Sequence, residues 1–127
     1  MGNIIHLGVR NVVHATTMEA AQNIMKCQYL NKGSKGMFGP GIYFAATEDI
    51  AKWKCNSIKH KVDAFIHCNV DFGDALVLDK PHNTLTLKQL REYGCNSVFG
   101  RSGPNKKWEF VVYDEKRTHP IKIVPVK

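Results

Sequence analysis

The sequence lacks the features that mark several common protein classes. Its four cysteines include no CxxC pair, so neither a zinc knuckle nor a dense disulfide framework is indicated. No apolar run approaches the length of a membrane span, and the start is too interrupted for a secretory signal. These absences predict a soluble protein of the nucleus or cytoplasm with reduced thiols and no membrane partner, and they leave a secreted effector open.

Acidic residues are scarce relative to basic ones. Eleven Asp and Glu residues stand against eighteen Lys and Arg residues, which gives a formal net charge of +7 and a pI near 9.3. The excess favours contact with an anionic partner, such as a nucleotide, a nucleic acid or an acidic protein surface. The basic residues are scattered along the sequence, so an ordinary solvated surface also explains most of this charge.

Length and composition limit the fold. The chain has 127 residues, of which 43% are hydrophobic and 23% charged, enough for one modest core. We therefore expect one domain over residues 1–127, acting as a monomer. Strand-like runs occur in both halves, helical patterns are few and short, and neither regular βαβ alternation nor a repeat is seen. This pattern favours an α+β fold over a doubly wound sheet.

Local patterns predict the elements of that fold. A hydroxyl at Thr16 or Thr17 can cap the helix that follows a strand at 11–14. The glycine-rich stretch after this helix is typical of turns and leads into a strand at 42–45. Thr47 then begins a second helix. Further strands are predicted at 62–70, 75–78, 108–113 and 121–126, with a short helix at 85–90.

Three short apolar strands each carry one side chain capable of chemistry. His14 follows two valines, Tyr43 stands between an isoleucine and a phenylalanine, and Glu109 lies between two aromatic residues. A carboxylate in that setting is costly to bury unless it has a hydrogen-bonding role or faces solvent. Taken alone, each residue also fits an ordinary structural position. Glu109 is therefore the most informative single residue.

Four short motifs span nearly the whole chain. They read His14-Ala15-Thr16, Gly39-Pro40-Gly41-Ile42-Tyr43-Phe44-Ala45, Asn96-Ser97-Val98-Phe99-Gly100 and Glu109-Phe110-Val111-Val112-Tyr113-Asp114. In this order they resemble the catalytic domain of the diphtheria-toxin-like ADP-ribosyltransferases, the family that includes the poly(ADP-ribose) polymerases. In that family the first, second and fourth motifs supply a His-Tyr-Glu triad around NAD.

The resemblance implies a fold, a substrate and a site. The fold is α+β, with two small, packed, mainly antiparallel sheets and a few short helices. NAD is the substrate, no metal takes part, and Glu109, His14 and Tyr43 are catalytic. Glu109 stabilises the positive charge that develops on the ribose as its bond to nicotinamide breaks, and two aromatic side chains hold the nicotinamide ring between them. The implied NAD-binding residues are His14, Ala15, Thr16, Tyr43 and Trp53.

The implied function is transfer of ADP-ribose from NAD to a protein or nucleic-acid acceptor. The loop at 101–107 is short and offers little surface to hold a growing chain, which favours mono- over poly-transfer. Ala15 replaces a glycine of the family, and the serine that often binds the carboxamide has no counterpart at 50–51, so a catalytically weak or inactive NAD-binding module stays open. An NAD-using RNA 2′-phosphotransferase fits less well, because the chain has only four arginines.

Overall fold

The computed structural model describes residues 3–33, 36–57 and 61–126. The α-helices of this part are α1 (Met18–Cys27), α2 (Glu48–Ser57) and α3 (Leu87–Glu92), with a 3-10 helix at Glu115–Arg117. The strands are β1 (Ile4–His6), β2 (Val9–Thr16), β3 (Ile42–Phe44), β4 (Ala64–Asp71), β5 (Asp74–Leu78), β6 (Ser97–Gly100), β7 (Glu109–Val112) and β8 (Thr118–Pro125). The mixed α+β class predicted from the sequence is confirmed.

The strands form two open sheets. The larger has the order β1-β5-β6-β7-β3, and the smaller has the order β2-β4-β8. β5 and β6 run parallel, and the other pairings among the described strands are antiparallel. The parallel pair needs a crossover connection, which α3 supplies between β5 and β6. The described strands therefore form mainly antiparallel sheets.

The main core lies between the two sheets. Ile42 pairs with Val112 and Phe44 with Phe110 across β3 and β7, and all four side chains point to this core because alternate residues of a strand share a face. They pack with buried residues of the smaller sheet, such as Ile66. Burial of this apolar surface stabilises the packing of one sheet on the other.

A second core covers the opposite face of the larger sheet. Val111 of β7 and Tyr113, which directly follows this strand, lie on this face and pack against Phe38 in the turn before β3. The hydroxyl of Tyr113 donates a hydrogen bond to the carbonyl oxygen of Phe38. A Cβ atom at Gly100 would lie 2.6 Å from the Phe38 ring, so only glycine allows this close approach. These contacts fasten the turn to the sheet.

One bridge joins the smaller sheet to the edge of the larger. The N–H of Val13 in β2 donates to the carbonyl oxygen of Ala45 at 2.9 Å, and the N–H of Ala45 donates to the carbonyl oxygen of Val13 at 2.8 Å. Ala45 directly follows β3, the edge strand of the larger sheet. The bridge therefore fixes the distance between β2 and β3.

The predicted helix starts are close to the observed ones, and β6 was not predicted. Thr17, rather than Thr16, caps α1, since its Oγ1 accepts the N–H of Ala20 at 3.2 Å. The Oγ1 of Thr47 accepts the N–H of Ile50 at the start of α2. The four residues of β6 carry too short an apolar pattern to predict a strand, and their pairing with β5 and β7 comes from distant parts of the chain.

Candidate functional site

A cleft of about 490 Å³ lies beside the Val13–Ala45 bridge. Its volume falls within the range of small-molecule sites in proteins. The side chains around it come from both sheets, α2, the turn before β3 and the loop between β6 and β7. Five of the six predicted site residues line it: His14, Ala15, Tyr43, Trp53 and Glu109.

Thr16 is not among the lining residues of this cleft. It stands two residues beyond His14 at the end of β2, which is about 6.6 Å further along an extended strand. Its carbonyl oxygen accepts the N–H of Asp63, so its backbone connects the end of β2 to the start of β4. A role for Thr16 in NAD binding stays a prediction that the geometry of the cleft does not favour.

Strand register places Tyr43 and Glu109 together. Tyr43 pairs with Val111 in the antiparallel β3–β7 ladder, and continuing the register by two residues puts Glu109 opposite Ala45. Side chains two residues apart share a face of a strand. Tyr43 and Glu109 are therefore diagonal neighbours on one face of two adjacent strands, although they are far apart in sequence.

His14 reaches the cleft from the other sheet. It follows the bridging residue Val13, and its Nδ1–H donates to the carbonyl oxygen of Tyr43 at 2.9 Å. This bond assigns the proton to Nδ1 and leaves Nε2 as an acceptor in the neutral ring. Burial lowers the pKa of His14, and the bond to the Tyr43 carbonyl opposes that shift. The imidazole is therefore neutral at pH 7 and can accept a hydrogen from a ligand hydroxyl.

The hydroxyl of Tyr43 is already engaged within the protein. It accepts the N–H of Phe38 at 2.9 Å and donates to the carbonyl oxygen of Gly39 at 2.6 Å. Burial raises the pKa of Tyr43 to about 12. A Cβ atom at Gly36 would lie 2.3 Å from the hydroxyl oxygen, so glycine is needed where that turn passes the ring. These contacts suit Tyr43 to be a fixed aromatic platform and not an acid or base.

Glu109 forms an ion pair in the cleft. Nζ of Lys54 lies 3.3 Å from Oε2 of Glu109, and 19% and 17% of the two side chains are exposed. Burial raises the pKa of Glu109, and the charge and hydrogen bond of Lys54 oppose that shift. The carboxylate is thus set in a partly dry environment, where an ionised group interacts more strongly with nearby charge than it does in water.

Trp53 contributes to the cleft from α2. It remains 41% exposed and lines the same cleft as Tyr43. Lys54, the next residue, is the one that reaches Glu109. The predicted clamp of Tyr43 and Trp53 around a nicotinamide ring stays a prediction, and the structure places both side chains where a ligand in the cleft could contact them.

Sequence reasoning missed several side chains of the cleft. Lys54 and Cys55 share a helical face with the buried Ala51, because residues three and four apart on a helix are neighbours. That spacing was the signal that could have found them. Ser102 and Lys106 come from the loop before β7, a loop in which composition alone predicts only a turn.

The charged residues of the cleft leave a positive excess. Lys54, Lys106 and Glu109 line it, which gives one more positive than negative charge. A cleft with net positive charge raises the local concentration of anionic ligands. Its polar groups and its aromatic side chains together suit a ligand that has both flat rings and phosphates.

The chain matches no family model and no curated protein. Residues 3–33, 36–57 and 61–126 contain no group of three or more His, Cys, Asp or Glu side chains placed to hold a metal ion. No helix in the same ranges is long and apolar enough to cross a membrane. The functional assignment therefore depends on the cleft and the motifs that form it.

Proposed function

We propose that this chain is an intracellular NAD-dependent ADP-ribosyltransferase with the ADP-ribosyltransferase fold. It transfers one ADP-ribose unit from NAD to a protein or nucleic-acid acceptor and releases nicotinamide. The observation that carries the proposal is that His14, Tyr43 and Glu109 come from three different strands and line one cleft. The state of each residue supports the proposal: the His14 imidazole donates through Nδ1, the Tyr43 hydroxyl is held by two hydrogen bonds, and Glu109 pairs with Lys54.

The binding roles follow from these states. Nε2 of His14 accepts a hydrogen from a ribose hydroxyl of NAD, since its other nitrogen is occupied by the Tyr43 carbonyl. The ring of Tyr43 stacks on the nicotinamide, and Trp53 covers it from α2. The backbone of Ala15 pairs with the carboxamide. Lys106 supplies positive charge toward the pyrophosphate.

The chemical role belongs to Glu109. Its carboxylate accepts a hydrogen bond from the 2′-hydroxyl of the nicotinamide ribose and stabilises the positive charge that grows on that ribose. The bond between C1′ and the nicotinamide nitrogen breaks, and its electron pair leaves with the nicotinamide. The acceptor oxygen or nitrogen then bonds to C1′ and loses its proton to solvent or to the carboxylate. The partly dry cleft strengthens the stabilisation because few waters screen the charges.

The proposal is tested with NAD labelled in its adenylate half. The purified chain is incubated with labelled NAD and a cell lysate, and the products are separated on a gel and identified by mass spectrometry. We expect discrete labelled products. Glu109→Gln should reduce transfer about 100-fold to 1000-fold, equivalent to about 3–4 kcal/mol of lost transition-state stabilisation.

Two results would contradict this assignment. Long labelled chains, seen as a ladder or smear, would overturn the mono-transfer part of the proposal. Full transfer by Glu109→Gln, with normal NAD binding, would show that the carboxylate is not catalytic. Lys52→Met is the matched control, because Lys52 is exposed on α2 and does not line the cleft.

A second candidate is a binding module that holds NAD or ADP-ribose without turnover. The observation that favours it is Ala15, which lines the cleft and stands where the transferase family has a glycine. Its added methyl group restricts the backbone that would pair with the ligand's carboxamide. Calorimetric binding of NAD without nicotinamide release after prolonged incubation would support this candidate over the transferase.

A further inference from the structure

Lys54 links three elements at one wall of the cleft. It lies on α2, and its Nζ is 3.3 Å from Oε2 of Glu109 on β7. The same amine donates a hydrogen bond to the carbonyl oxygen of Lys107 at 3.1 Å, in the loop that leads into β7. One side chain thus connects the helix, the loop and the strand that carries the carboxylate.

We propose that Lys54 is a positioning residue that holds the carboxylate of Glu109 in place for the transfer reaction. The inference rests on the proposed function, because it assigns Glu109 the chemical step. Lys54 engages Oε2 of Glu109 at 3.3 Å, and the Glu109 side chain lines the cleft. One carboxylate oxygen is therefore held by the protein, within a side chain that lines the cleft.

The surroundings of Glu109 make this contact more than a surface ion pair. His14 from β2, Tyr43 from β3 and Cys55 from α2 line the same cleft, together with Lys106 from the loop before β7. Of these groups, only Lys106 is also cationic. Burial favours the protonated carboxyl group, and Lys54 is the group that opposes it by charge and hydrogen bond. Salt screens such a shielded pair less than it screens an exposed one.

The hydrogen bond to Lys107 adds a geometric effect. It holds the loop before β7 against α2. The backbone that leads to Glu109 is therefore fixed, as well as the Glu109 side chain. Loss of the Lys54 amine would release both the loop backbone and the Glu109 side chain. A small displacement of a catalytic group costs rate even when the substrate still binds, because the reacting atoms are no longer aligned.

The test compares four forms of the full chain, wild type, Lys54→Met, Lys54→Arg and the control Lys52→Met, and uses a fifth, Glu109→Gln, for signal assignment. The first measurement is the titration of the Glu109 carboxyl carbon by NMR of ¹³C-labelled protein, with Glu109→Gln to assign its signal. We expect Lys54→Met to move this titration to higher pH, because the removed positive charge favours the ionised form. Lys54→Arg should restore it, and Lys52→Met should match wild type.

The second measurement is the pH dependence of transfer. The acid limb of kcat should move to higher pH in Lys54→Met, and kcat on that limb should fall about tenfold or more, with the NAD dissociation constant within about twofold of wild type. Lys54→Arg should recover most of the rate. A change confined to stability, with the pH profile of kcat unchanged, would overturn the positioning role.

The two measurements separate this inference from the proposed function. If wild type transfers no ADP-ribose, the proposed function fails. The NMR titration still decides whether Lys54 lowers the pKa of Glu109. If the Glu109 titration is the same in Lys54→Met and Lys52→Met, the inference is overturned whatever the activity. Should Lys54→Met fail to fold, Lys54→Gln provides the neutral variant for both measurements.

Discussion

The two faces of the β3–β7 strand pair carry different kinds of side chain. On the face toward the smaller sheet, Phe44, Phe110 and Val112 are buried and apolar. On the other face, Tyr43 and Glu109 carry polar groups that have partners within the protein. Because side chains alternate along a strand, one pair of strands serves the core and the cleft at once. Substitutions one residue apart should therefore separate stability from function.

The largest expected effect is on the core face. Ile42→Ala removes a side chain that is 1% exposed and leaves a cavity between the sheets, so the free energy of unfolding should fall by about 2–5 kcal/mol. Urea unfolding followed by tryptophan fluorescence measures this change. Binding of NAD per folded molecule should not change. A loss of NAD affinity in the folded fraction would show that the two faces are not independent.

The next effect is expected on the cleft face, at the hydroxyl of Tyr43. Tyr43→Phe keeps the ring but leaves the N–H of Phe38 and the carbonyl oxygen of Gly39 without this partner, which should destabilise the protein by about 1–3 kcal/mol. NAD should still bind, since the ring remains. Tyr93→Phe, at a tyrosine that is 41% exposed, is the control and should be close to neutral. Equal stability of both variants would contradict the assigned hydrogen bonds.

A pH effect distinguishes the cleft face further. The folded state raises the pKa of Glu109, so between the unfolded and folded pKa values it binds more protons than the unfolded state does. Stability from this group is therefore present at low pH and is lost as pH rises through that interval. Glu109→Gln has no carboxyl group to ionise, so it should not lose this stability as pH rises. The difference in free energy of unfolding between Glu109→Gln and wild type should therefore shift in favour of the variant as pH rises above about 4. Urea titrations at several pH values test the sign, and a constant difference would contradict it.

The smallest effect is expected at an ion pair away from both faces. Arg117 lies 3.5 Å from Asp71, and 28% and 52% of the two side chains are exposed. Solvent screens such a pair, so Arg117→Gln should change the free energy of unfolding by less than about 1 kcal/mol. Urea unfolding at low and high salt measures it. A larger effect would mean that Arg117 contributes through its hydrogen bond to the carbonyl oxygen of Asp71.

The strands of the cleft were predicted because neighbouring residues in the sequence are enough to indicate them. A short apolar segment after glycine-rich turns marks β3, an apolar run marks β7, and the hydroxyl of Thr47 marks the start of α2. β6 was not predicted, since its pairing with β5 and β7 depends on residues distant in sequence. The last strand begins at Thr118 and not at 121, because the residues before Ile121 pair with β4 in spite of Pro120.

The candidate site was predicted less completely than the strands. His14, Tyr43 and Glu109 were found through the resemblance of their motifs, and the structure brings them to one cleft. Lys54 was not found, because a lysine on a short helix resembles a solvated one until its partner strand is known. Thr16 was included because it follows His14 in the motif, although an extended strand carries it beyond the cleft.

The bridge between Val13 and Ala45 has a consequence for how the cleft can be observed. It consists of main-chain atoms, so side chains at these positions can vary while the spacing of β2 and β3 is kept. Both amide protons are released when the strands separate, and they should exchange with deuterated solvent at similar rates. A ligand that spans His14 and Tyr43 would oppose this separation and slow both exchanges. Two backbone amides would then report occupancy of the cleft before any product is known.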